Sequence, residues 1–81
     1  MNYEEAKAKL IEIITARLRA AGKSVPSIKE ETLLLDGCLP MDSLELAAVV
    51  ISMSEITGTD PFASGFVQFQ TVAELARLYA S

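Results

Sequence analysis

The stretch MDSLELAAVVISMSEITG, residues 41–58, decides the fold of this chain. Asp42 and Glu45 form a D-x-x-E pattern close to a capping box, and Gly58 follows the apolar run as a helix stop. The pattern predicts a helix that begins near Asp42 or Ser43 and ends near Gly58. A helix start presents unpaired N–H groups and the positive end of the helix dipole, which suit a phosphate. Ser43 is therefore either an ordinary N-cap or first-turn serine or a hydroxyl able to carry a phosphodiester.

A first periodic segment, from about Tyr3 to Ala21, predicts a long amphipathic helix. Glutamates lie in its first turn and arginines near its last, as the helix dipole favours, and Gly22 follows as a natural end. Its apolar residues recur every three or four positions and so share one face, namely Tyr3, Ala6, Leu10, Ile14 and Leu18, widened by Ile11 and Ile13.

A long connection runs from Lys23 to Asp42. Its prolines and Gly37 argue against a continuous helix. A loop of this length is unusual in a compact domain unless it has a purpose. The apolar triplet Leu33-Leu34-Leu35 is expected to pin the loop to the core through a short helical turn.

Two further helix starts follow the second helix. Asp60-Pro61 predicts a short helix that ends before Gly65, because proline favours the first helical position. The tetrapeptide 71–74, TVAE, is a capping box that opens the last helix, whose buried stripe is Val72, Leu75, Ala76 and Tyr79. No alternating run demands a strand. We therefore expect one all-α domain over 1–81, a small bundle of three main helices plus one short helix, with a long loop between helices one and two.

The composition excludes several functional classes. A chain of 81 residues makes one small domain, and its 51% apolar content provides a core without disulfides. It has no histidine and one cysteine, which excludes histidine-based acid–base or serine catalysis and an internal disulfide. We expect no catalytic residue and no metal site. The polar N-terminus and the short apolar run Leu46–Met53 predict no membrane insertion, so a monomeric cytoplasmic protein is expected.

Charge is distributed unevenly along the chain. Residues 1–29 carry six basic and three acidic groups, whereas residues 30–60 carry seven acidic groups and no basic one. The acidic middle third is either a solvated loop or a surface that attracts a basic protein, and it would repel nucleic acid. The basic residues Lys7, Lys9, Arg17 and Arg19 are expected on the solvated face of the first helix.

The tripeptide Asp42-Ser43-Leu44 resembles the D-S-L attachment motif of acyl carrier proteins. The resemblance extends to the long first helix, the Leu-rich loop, Thr57-Gly58 at the end of the second helix and Thr71-Val72 at the start of the last. It implies that Ser43 accepts 4′-phosphopantetheine from coenzyme A through a separate phosphopantetheinyl transferase. The arm would then carry acyl groups as thioesters to acyl-transferring or acyl-modifying enzymes of fatty-acid or related lipid or polyketide synthesis. Asp42 would face the transferase, cap the helix, or do both.

The second helix departs from the pattern of fatty-acid carriers, which place several acidic residues along it for docking to basic partners. The aligning positions hold Ala48, Ser54 and Ile56, and only Glu45 and Glu55 remain. The departure indicates a specialised carrier whose partners recognise it by shape and apolar contact more than by charge. At helical spacing Leu46, Val49, Val50 and Met53 can face the core. The predicted docking residues are Leu44, Glu45, Ala47, Ala48, Ile51 and Glu55.

Three phenylalanines and the cysteine allow two interpretations each. Phe62, Phe66 and Phe69 either fill the core or wall an acyl pocket, for which the candidate residues are Leu46, Val50, Met53 and Phe62. Cys38 is either an inert loop cysteine or a reactive thiol near the helix start. Two alternatives to an acyl carrier also remain: an aminoacyl or peptidyl carrier of a dedicated pathway, and a helical interaction module that is never modified.

Overall fold

Three helices form the protein in a computed structural model that describes residues 1–35, 37, 39–63, 65 and 67–80. They are α1 (Tyr3–Ala20), α2 (Ser43–Thr57) and α3 (Val72–Tyr79). The only β-type pairing within these residues is an isolated antiparallel bridge between Leu33 and Thr71. The predicted all-α bundle and its three main helices are confirmed.

Helix α1 has the ends that its sequence predicts. Asn2 and Glu5 form a reciprocal capping box at its start. At its end, the N–H of Gly22 donates to Arg19 O and that of Lys23 to Leu18 O, both at 2.9 Å, which is a Schellman motif. Gly22 adopts a left-handed φ of 76° just beyond the helix, where a side chain would be strained.

The core forms around the predicted apolar stripe of α1. Leu10, Ile14 and Leu18 are fully buried, together with Val49 and Met53 of α2. Helix α3 contributes its whole predicted stripe, Val72, Leu75, Ala76 and Tyr79. The Tyr79 hydroxyl donates to Val50 O at 3.2 Å and so ties α3 to α2. Burial raises the pKa of the Tyr79 hydroxyl, which remains a neutral donor.

The long loop is fastened to the start of α3 by backbone hydrogen bonds. The N–H of Leu34 donates to Gln70 O at 2.8 Å. The first two N–H groups of α3, from Val72 and Ala73, donate to Thr32 O at 3.0 Å and Glu30 O at 2.9 Å. Buried Leu34 anchors the same segment to the core. The triplet thus pins the loop as expected, but through a strand-like pairing with the segment before α3 and not through a helical turn.

An ionic cluster fixes the loop to the N-terminal end of α1. The Glu30 carboxylate accepts hydrogen bonds from Tyr3 Oη at 2.9 Å and Lys7 Nζ at 3.1 Å. The Lys7 ammonium, followed by Tyr3, holds the pKa of Glu30 below its ordinary value. Lys7 also pairs with Glu4 at 3.0 Å. The expected solvated role is therefore wrong for Lys7, which links two distant segments.

The segment after α2 turns instead of continuing as a helix. Asp60 Oδ1 accepts from the N–H of Phe62 at 3.1 Å, and Asp60 O accepts from the N–H of Ala63 at 3.2 Å. Gly65, with φ of 136°, donates to Phe62 O at 3.1 Å. Where the sequence predicts a short extra helix, the described residues 60–63 and 65 form consecutive turns.

Leu10→Ala is expected to destabilise the protein by about 2–5 kcal/mol, because it opens a cavity at a fully buried site of the core. Urea unfolding measures the change. Leu44→Ala is the matched control, since Leu44 is 80% exposed, and it should change the free energy of unfolding by no more than about 0.5 kcal/mol. Equal effects of the two substitutions would contradict the placement of the core.

Glu30→Gln is expected to lower stability at neutral pH but not in acid. Because the folded-state pKa of Glu30 is depressed, its ion pair stabilises the fold above the ordinary value of 4.5, and the gain is lost as the pH falls below it. Urea unfolding at pH 7 and pH ~3 measures the difference from wild type, which should shrink in acid. Glu31→Gln is the control, because Glu31 makes no ion pair with any described residue. An equal loss at both pH values would refute this role.

Candidate functional site

Ser43 is the first residue of α2, and its side chain is exposed. The N-cap is Asp42, whose Oδ1 accepts a hydrogen bond from the N–H of Glu45 at 2.8 Å. Asp42 therefore performs the capping role in place of the serine. The Ser43 hydroxyl makes no hydrogen bond within the part of the chain that the structure describes, so it has no structural role there. Of the two plain roles expected for Ser43, the N-cap is therefore excluded and the first-turn position is the one observed.

The first turn of α2 keeps two unpaired N–H groups besides the one that Asp42 caps. In α3 the first two N–H groups are taken by loop carbonyls. In α2 the equivalent groups, from Ser43 and Leu44, have no hydrogen-bond acceptor among the described residues. Unpaired N–H groups and the helix dipole stabilise a negative group by about 0.3–1 kcal/mol. The turn that holds Ser43 is thus available to an anion such as a phosphodiester, as is the first turn of α1, where the N–H groups of Tyr3 and Glu4 also have no acceptor among the described residues.

The segment before Ser43 is anchored although Ser43 itself is exposed. Leu39 and Met41 are buried in the core. Lys23 Nζ donates to Pro40 O at 2.9 Å and ties this segment to the end of α1. These contacts therefore hold the backbone before Ser43 in place, while the Ser43 hydroxyl stays accessible to another protein.

Glu45 breaks the predicted capping box. Its carboxylate accepts a hydrogen bond from Arg17 Nε of α1 at 3.1 Å and does not return to the N–H of Asp42. Only the Asp42 half of the D-x-x-E pattern forms. Arg17 is exposed, as expected for the solvated face of α1, and its ion pair in addition links α1 to the start of α2.

The predicted docking residues divide by exposure. Leu44 and Ile51 are 80% and 59% exposed, and Ala47 and Glu55 are also exposed. Ala48 is half-buried on the same side of the helix. Leu44, Ala47, Ala48, Ile51 and Glu55 therefore form one strip, which we call the α2 strip. Glu45 does not belong to it, because its half-buried side chain is directed towards α1.

An open apolar groove begins at Ser43. Its volume is about 370 Å³, and its walls come from α2 and the segment after it: Ser43, Leu46, Ala47, Val50, Ile51, Phe62 and Phe69. The rings of Phe62 and Phe69 lie 5.7 Å apart at an angle of 46° and close one side. Of the candidate pocket residues, Leu46, Val50 and Phe62 line this groove. Met53 does not, because it is fully buried in the core.

A second cavity of about 260 Å³ adjoins the groove. It is lined by the loop residues Leu33 to Leu35 together with Leu46, Phe69 and Gln70. Leu46 and Phe69 line both spaces and separate them. The docked loop thus lines a second space, of mixed polarity, beside the groove that begins at Ser43.

Sequence reasoning missed that Ala47 and Ile51 line the groove, and it missed the supporting roles of Arg17 and Lys23. No local signal marks these two cations, because their partners lie 28 and 17 residues further along the chain. Phe66 and Cys38, named as a pocket wall and a thiol near the site, lie outside the described residues. Within the described ranges, no group of three or more acidic, cysteine or histidine side chains is placed to hold a metal ion.

No helix in the described part of the chain has the length and apolar character needed to cross a bilayer. No protein-family model, no curated protein and no solved structure matches the chain.

Proposed function

We propose that this protein is an acyl carrier that holds acyl groups as thioesters on 4′-phosphopantetheine attached to Ser43. The observation that carries the proposal is the coincidence of three features at one side chain. Ser43 is exposed on an anchored helix start, the first two N–H groups of α2 have no acceptor among the described residues, and an apolar groove begins at the same residue. A helix cap needs the first feature at most, whereas a carrier uses all three.

In the attachment step the Ser43 oxygen forms a bond to phosphorus, and the bond from that phosphate to the nucleotide part of coenzyme A breaks. The chain has no histidine to accept the hydroxyl proton, so a phosphopantetheinyl transferase supplies the base. The protein itself performs no catalysis in this proposal. Its contribution is the fixed position of the hydroxyl and the favourable field of the helix start for the phosphodiester product.

The groove supports an aliphatic acyl group as the cargo. Apart from the hydroxyl of Ser43, the side chains that line it are hydrocarbon. A hydrocarbon chain in the groove is removed from water at a gain of about 25 cal/mol per Å². An aminoacyl group would place a charged amine there without a partner, which is costly. The groove thus favours a fatty-acyl or related lipid or polyketide cargo over the aminoacyl alternative.

The proposal includes partner enzymes that dock on the α2 strip. Its exposed members are mainly apolar, and the carboxylate nearest to Ser43 along α2, that of Glu45, is already paired with Arg17. A partner would therefore gain more from apolar contact with Leu44 and Ile51 than from charge. The single cysteine and the acidic surface fit a monomeric carrier that works in the reducing cytoplasm.

Incubation with coenzyme A and a broad-specificity transferase is expected to add the mass of one phosphopantetheine group to the wild-type chain. Intact-mass spectrometry measures the gain, and fragmentation assigns it to Ser43. Ser43→Ala should gain nothing, while Ser54→Ala, a serine of the same helix, should be modified like wild type. If the wild type stays unmodified, the unmodified interaction module replaces the carrier proposal. Modification of Ser43→Ala would show that the site is wrong.

Ile51→Glu and Ala48→Glu are expected to weaken docking of the transferase more than Glu55→Lys does. A charge inserted into an apolar contact loses about 1–3 kcal/mol, whereas an exposed charge at the rim is worth about 0–1 kcal/mol. The KM for the chain in the transfer reaction measures the effect. Ala8→Glu adds the same charge on the exposed face of α1 and serves as the control. A larger effect of Glu55→Lys would refute apolar docking.

A further inference from the structure

The capping of α2 differs from that of the other two helices, although all three have a glutamate at the third helical position. In α1 the Glu5 carboxylate accepts from the N–H of the N-cap Asn2 at 3.1 Å. In α3 the Glu74 carboxylate accepts from the N–H of the N-cap Thr71 at 3.0 Å. In α2 the Glu45 carboxylate is bound by Arg17 instead. The local sequence would therefore form a capping box in α2 if Arg17 did not compete for Glu45.

We propose that Arg17 is a positioning residue for the modification of Ser43, because it holds the Glu45 carboxylate away from the start of α2. The inference rests on the proposed function of Ser43. Without Arg17, Glu45 would return to the N–H of Asp42, as Glu5 and Glu74 do at their own helix starts. That would add a second carboxylate, besides that of Asp42, at the positive end of the helix and beside the phosphate transferred to Ser43.

The positions of Arg17 and Glu45 support this role of Arg17. The Glu45 side chain is 24% exposed and that of Arg17 is 42% exposed, so the pair is partly shielded from solvent. Arg17 lies in the last turn of α1. Lys23, which follows that helix, binds Pro40 O. The end of α1 thus holds the chain on both sides of Ser43, at Pro40 before it and at Glu45 after it. The two contacts leave the intervening hydroxyl and its turn exposed.

A double-substitution cycle on the full chain tests the proposal. Arg17→Met keeps the aliphatic stem and removes the charge, and it should lower the kcat/KM of phosphopantetheine transfer by about two- to fivefold, the range of one charge at a helix start. The same substitution made on a Glu45→Ala background should have no further effect. Arg17→Lys should restore most of the rate. Lys9→Met, which removes the exposed Lys9–Glu12 pair of α1, should match wild type.

A second measurement does not depend on the transfer reaction. Amide hydrogen exchange at Asp42 in the unmodified chain should slow in Arg17→Met, because the returning Glu45 accepts from that N–H, and should not slow in Arg17→Met/Glu45→Ala. The positioning role is overturned if Asp42 exchange is unchanged in Arg17→Met, or if Arg17→Met slows transfer equally with and without Glu45. Failure of the wild type to be modified would refute the carrier proposal. The exchange data would still show whether Arg17 keeps the Glu45 carboxylate away from the N–H of Asp42.

Discussion

The apolar stripe of α1 has to be covered along the full length of the helix, and the rest of the structure depends on this constraint. Ala6, Leu10, Ile14 and Leu18 are all completely buried. No single short helix can cover them, so α2 and α3 both pack against α1. An isolated helix of eight residues such as α3 is not stable in water. It forms here because its stripe completes the cover over α1 and because the loop supplies acceptors for its first N–H groups.

Covering α1 uses only part of the apolar surface of α2. Val49 and Met53 are buried, whereas Leu46 and Val50 are half-buried and Leu44 and Ile51 are exposed. Burying the remaining residues would need another element, and among the described residues of the segment after α2, Phe62 and Phe69 are the ones that line this side. The apolar groove is thus the space that three helices leave uncovered. Its position at Ser43 follows from α2 starting where the anchored loop ends.

Local rules located most of the candidate site, and the exceptions come from competition. The caps at Asn2, Asp42 and Thr71 follow from residues at most three positions apart, and the structure has all of them. Glu45 satisfies the same local rule, yet Arg17 binds its carboxylate. The capping bond would pair the Glu45 carboxylate with a neutral N–H, whereas Arg17 pairs it with a full positive charge, so the ion pair can replace the cap. Nothing within a few residues of Glu45 could reveal this competitor.

The sequence by itself determined the ends of the helices, the stripe of α1, the stripe of α3 and the exposed serine at the start of α2. These features depend on hydrogen bonds and spacing within one or two turns, which the order of residues fixes. The tertiary structure decided the path of the loop, the partners of Lys7, Arg17 and Lys23, and the walls of the groove. Such contacts join residues far apart in sequence, and their formation depends on how the three helices cover the shared core. For Ser43, the sequence supplied the hydroxyl and the helix start, and packing supplied the open turn and the groove.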